Sequence, residues 1–134
     1  MRVRPASPIR AVETMPKASV SAVHAVELGV TDLAGAETFF TQVWNVAPVA
    51  TAEGAVFLRG TGRFHHILVL RQAPRAGMVR VVLDAADRAT VDALHEQVRA
   101  SGRPTDGMPR NLRWPGGGYG FGCKDPEGRN LAIV

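Results

Sequence analysis

The sequence holds a single cysteine, Cys123, so it contains no internal disulfide, and a fold that holds without covalent staples fits a reducing compartment. It lacks an apolar run of transmembrane length, and its N-terminus lacks the apolar segment and small-residue cleavage site of a secretory leader. A cytoplasmic protein with no membrane partner is therefore expected. A basic stripe with interleaved aromatics is missing too. The formal net charge is +4, but Arg2, Arg4, Arg10 and Lys17 against Glu13 place three of those charges in the first 17 residues. The remainder is nearly neutral, which argues against nucleic acid as a partner. No Ser-His-Asp arrangement or carboxylate pair can be argued from spacing. Gly116-Gly117-Gly118-Tyr119-Gly120 is not followed by Gly-Lys-Ser/Thr, so it reads as a loop before a strand and not as a phosphate cradle.

What is present suits one folded unit. With 134 residues, 46% of them hydrophobic and 21% charged, the chain can bury one core and is too short for two independent domains. Residues 1–18 carry Pro5, Pro8 and Pro16 among small and basic residues and read as a flexible arm, leaving a single domain over residues 19–134.

The most informative feature is an internal repeat. Val23 to Val30 alternates apolar and other residues over strand length, Asp32 is a good helix N-cap, and Leu33, Ala36, Phe39, Phe40 and Val43 follow at helical spacing. The pattern returns with an offset of 55 residues: Arg80 to Ala85, then Asp87, then Val91, Leu94 and Val98, with Gln42-Val43 matched by Gln97-Val98. Chance similarity rarely keeps register through three elements. Short strands are predicted after each helix, at 47–50, 55–59 and 65–71 in the first half. In the second they fall near Pro104, at 119–124 and at 130–134, the last two joined by an Asp125-Pro126-Glu127-Gly128 turn. Gly102 stops the second helix. Both halves, 20–72 and 77–134, read βαβββ, an α+β fold.

Val-Thr-Asp-Leu opening a helix that runs into Phe-Phe-Thr-Gln-Val-Trp, and a terminal Asp-Pro-Glu-Gly-Arg-Asn-Leu hairpin, resemble the vicinal oxygen chelate superfamily of glyoxalases, bleomycin-resistance proteins and extradiol dioxygenases. The resemblance covers nearly the whole chain after residue 20 and is closest to the N-terminal domain of two-domain extradiol dioxygenases. Phe64-His65-His66-Ile67-Leu68-Val69-Leu70 and Ala86-Asp87-Arg88 share in it. It implies two βαβββ units side by side, with curved sheets around a cavity.

Metal-binding members of that superfamily place His or Glu on the cavity face of the first and last strands of each unit, the first-strand ligand lying seven residues before the capping aspartate. The matching positions here are Ala25, Arg80, Val69 and Ala132, none of which ligates a metal. Neither a metal site nor a cofactor is therefore expected, nor any catalytic residue. His24 is one place out of register and is expected on the helix-packed side with Val26, Leu28 and Val30. His65 and His66, at a strand entrance, should face opposite sides and fail to chelate one ion, His95 should lie on the second helix, and Cys123 has no base beside it. The cavity is expected to be lined by Ala25, Glu27, Val69, Arg80, Val82, Tyr119 and Ala132, with Arg80 paired to Glu27 across the two halves.

Three functions stay open. One is a metal-free, non-catalytic domain of a dioxygenase-like protein, consistent with a chain that ends at Val134 inside a predicted strand. Another is a protein that binds an apolar or aromatic small molecule, acting as a homodimer; an exposed sheet edge favours pairing with a second copy or with a second domain of the same kind. The third is an extradiol-type dioxygenase or glyoxalase-like lyase whose metal ligands come from unusual positions.

Overall fold

The computed structural model describes residues 17–134, so most of the expected arm at 1–18 lies outside the described residues. At its inner edge, the Ala18 N–H donates to Gln97 Oε1 at 2.9 Å and the Ala18 carbonyl accepts from Gln97 Nε2 at 3.1 Å. The elements follow as β1 (Ala22–Val30), α1 (Leu33–Gln42), β2 (Ala47–Ala52), β3 (Ala55–Arg59), β4 (Leu68–Gln72), β5 (Gly77–Asp84), α2 (Arg88–Ala100), β6 (Arg110–Asn111), β7 (Tyr119–Lys124) and β8 (Asn130–Ile133). This is the twice-repeated βαβββ order expected. The strands form one open, mixed sheet of eight in the order β2-β3-β4-β1-β5-β8-β7-β6. Within each half the first strand runs parallel to the last, β1 with β4 and β5 with β8. The halves meet at one antiparallel seam, β1 against β5.

The repeated aspartates act as predicted. Asp32 accepts from the Gly35 N–H at 3.0 Å, and Asp87 accepts from the Thr90 N–H at 2.8 Å and from its hydroxyl at 2.7 Å. These three-residue brackets start both helices at equivalent places, which keeps the halves alike. Gly102 follows α2 with a positive φ, as a helix-stopping glycine should, and the Gly128 N–H closes the terminal hairpin turn on the Asp125 carbonyl at 2.9 Å.

Both helices cover one face of the sheet. Under α1, Leu33, Ala36 and Phe40 pack on Val56, Leu58, Leu68 and Leu70; under α2, Val91 and Leu94 pack on Phe121 and Ile133. The fully buried members, such as Leu58, Leu70 and Phe121, contribute about 1.5–3 kcal/mol each, and the α1 side chains, only partly buried, contribute less. β3 is buried on both faces, since Phe57 on its far side packs with Ala55 and Val69. No helix among the described residues is long and apolar enough to cross a membrane.

Candidate functional site

The face away from the helices carries the polar centre. Glu27 and Arg80 are directly opposed across the β1–β5 seam, and Glu27 Oε1 accepts from Arg80 Nη1 at 3.4 Å, the cross-half pair expected from the repeat. The stronger partner is one that the repeat alone does not point to. Arg71 Nε donates to Glu27 Oε2 at 2.6 Å, so the carboxylate, only 6% exposed, is bridged by two guanidiniums. Arg71 lies two residues beyond Val69, hence on the same face of β4, and that spacing is the sequence signal for it. Asp84 instead bonds Arg63 at 3.0 Å.

Beside this centre the face is closed by an indole. Ala25, Val82 and Ala132 are buried together, and Trp114 packs over them with Val134. The turn after Trp114 holds the ring: its Nε1–H donates to the Gly117 carbonyl at 2.7 Å, and the Gly117 N–H returns to the Trp114 carbonyl at 2.9 Å. Gly116, Gly117 and Gly118 all have positive φ, the left-handed backbone that lets the chain double back within three residues. Two cavities meet at this tryptophan. One of about 500 Å³ lies between β5, β7, β8 and the segment from Pro104 to Trp114, bordered by Arg80, Asp106, Arg110, Lys124 and Ala132. The other, about 170 Å³, is bordered by His24, His65, His66, Val82, Asp84 and the glycine turn.

The seven expected cavity residues therefore separate. Arg80 and Ala132 line the larger cavity and Val82 the smaller. Ala25 is buried beneath Trp114, Glu27 between its two arginines, and Val69 against Phe57. Tyr119 is a correction. It shares a face with Phe121, which packs under α2, and its hydroxyl donates to Asp92 at 2.6 Å while the Arg88 guanidinium lies 4.5 Å from its ring centre. Phe121, Gly122, Cys123 and Lys124 of β7 border the larger cavity, and Tyr119 does not.

Two histidine expectations are also corrected. The β1–β5 register shifts between Val23 and Ala25, and this bulge turns His24 to the face of Val82 and Asp84, stacked 4.3 Å from the Phe64 ring, instead of toward α1. Residues 65 and 66 precede β4 rather than entering it, and in that irregular backbone their Nδ1 atoms approach to 2.9 Å instead of facing apart. His95 is almost fully buried, with Nε2 at 3.0 Å from the Gly107 carbonyl, and burial together with nearby Asp106 raises the Cys123 thiol.

Burial, and then His24 and His65 as like charges, lower the His66 pKa from 6.5 to about 4; His24 is lowered too, mainly by burial. Below pH 6.5 the unfolded chain takes up a proton that folded His66 refuses, so stability should fall as pH drops from about 6.5 toward 4. Thermal melts across that range should show a declining Tm, with a shallower decline in His66→Gln. Parallel curves for the two proteins would assign the loss elsewhere.

At the four positions where the superfamily resemblance implies metal ligands, this chain presents three alkyl side chains and one guanidinium, with an indole over two of them. These residues do not fit a divalent ion, which needs converging N, O or S donors. Among the described residues no group of three or more His, Cys, Asp or Glu is placed to hold one.

No protein-family model and no curated protein matches the chain. Solved structures do. A Mn(II)-bound glyoxalase from Novosphingobium aromaticivorans is 32% identical, covering 85% of this chain and 38% of that one, with a TM-score of 0.80. Homoprotocatechuate 2,3-dioxygenase from Arthrobacter globiformis is 27% identical over 89% of this chain and 37% of that one, with a TM-score of 0.77. A variant of the same enzyme from Brevibacterium fuscum is 25% identical over 89% and 33%, also at 0.77. The chain thus spans between 33% and 38% of the length of these three proteins.

Proposed function

We propose that this chain, whose fold is that of the vicinal oxygen chelate superfamily, works as a metal-free, non-catalytic domain of the extradiol-dioxygenase N-terminal type, beside another domain or chain that carries metal and chemistry. The observation that carries this reading is the filled centre of its sheet face: Trp114 over Ala25 and Ala132, next to the Arg71–Glu27–Arg80 bridge. At Ala25, Val69, Arg80 and Ala132 a divalent ion would meet hydrocarbon and a guanidinium, and charge repulsion by Arg80 adds to the lack of donors at those positions.

The test is elemental analysis of protein purified without tag or chelator. Well under one equivalent of Mn, Fe, Zn or Ni is expected. Stoichiometric metal that disappears on replacing His24, His65 or His66 would falsify the proposal.

A further inference from the structure

We infer that the cavity of about 500 Å³ beside Arg80 binds an aromatic monocarboxylate, with Arg80 as the recognising cation and Trp114 as the apolar wall. This goes beyond a passive domain and does not need a metal. The size lies within the range of small-molecule sites. Its border combines apolar surface from Leu112, Trp114 and Ala132 with the cations Arg80, Arg110 and Lys124.

The charges decide the ligand's sign. Asp106 takes up Arg110 through two contacts, Nη1–Oδ1 at 3.1 Å and Nη2–Oδ2 at 2.9 Å. Lys124 bonds a neutral partner, the Asn130 amide oxygen at 2.6 Å. Glu27 is held closely by Arg71 and only loosely, at 3.4 Å, by Arg80. Two guanidiniums therefore share one carboxylate, and the looser of them borders the cavity with about a third of its side chain exposed. A ligand carboxylate can engage the planar fork of Arg80 without stripping Glu27 of its counter-ion, since Arg71 stays in place. The fixed indole supplies a flat apolar wall for a ring, which costs little conformational entropy on binding.

The experiment titrates ¹⁵N-labelled protein with 2-naphthoate and with the neutral isostere 2-naphthamide. Naphthoate should bind with a Kd below about 1 mM and shift the Trp114 indole N–H and the Gly122 amide, and naphthamide should bind at least about tenfold more weakly. Raising salt from about 0.01 M to about 1 M, which shortens the screening length from about 30 Å to about 3 Å, should erode that difference. Arg80→Met should cost about tenfold in naphthoate affinity while leaving naphthamide unchanged, with Arg80→Lys between. If Arg80→Met does not fold, Leu112→Trp, which fills the cavity, should abolish binding of both. Equal affinity for the two probes, no binding of either at millimolar concentration, or naphthoate binding that survives the Arg80 and Leu112 changes overturns the inference. The titration is repeated with EDTA: binding lost only then would mean a metal-held carboxylate and would defeat the metal-free reading, whereas a missing naphthoate preference defeats the Arg80 assignment alone.

Discussion

Glu27→Ala is expected to destabilise the fold by about 3 kcal/mol, a Tm fall on the order of 10 °C for a domain of this size. The change removes a carboxylate that is 6% exposed and leaves two guanidiniums facing each other over the vacated space. Removing one side of a buried ion pair is costly because the remaining charge keeps its desolvation penalty without its partner. The loss sits at the low end for such changes because Arg71 and Arg80 are 37% and 35% exposed, so water screens part of the repulsion. Glu27→Gln keeps the shape and one hydrogen-bonding oxygen and should cost less. Adding Arg71→Met to Glu27→Ala should restore part of the loss, and thermal melts of the double-mutant cycle would reveal that coupling. A Glu27→Ala protein melting within about 2 °C of wild type would show that the bridge contributes little to stability.

Gly120→Ala should be at least as damaging, by about 3 kcal/mol, for a steric reason alone. A Cβ at this position would strike the Ile133 carbonyl oxygen and come within 2.9 Å of Val134 Cγ1. The first obstacle is backbone of the neighbouring β8, so no rotamer change relieves it; the β7–β8 pairing must part where Phe121 opposes Ile133. That pair is the centre of the core under α2, and loosening it exposes apolar surface worth several kcal/mol. The control is Gly62→Ala, which meets nothing within 4 Å. Chemical denaturation should separate the two variants clearly, and equal midpoints would exclude the clash.

Regular repetition is what makes this fold legible in its sequence. Asp32 and Asp87, with apolar residues spaced behind each, locate both helices, and alternation in β1 and β5 is enough to put Glu27 and Arg80 on one face. Irregularities are where legibility ends. The bulge at His24 has no sequence mark, yet it moves an imidazole through the sheet. His65 and His66 precede a strand that begins only at Leu68, so alternation has no force at either of them. Tyr119 differs, because the parity of β7 can be set from Phe121, an apolar residue that has to face α2. Periodicity has no means of placing Trp114, since it lies in a loop whose path is set by three left-handed glycines.

The seating of Trp114 also bears on how such a domain can change over generations. Installing one donor at Ala25 or Ala132 would push an imidazole or carboxylate into the indole. Arg80 would have to leave as well, and its loss matters to Glu27. Several substitutions must arrive together before any of them is useful, while each alone lowers stability. On the metal-free reading proposed above, the packed indole and the Arg71–Glu27–Arg80 bridge would resist the return of a metal site one residue at a time.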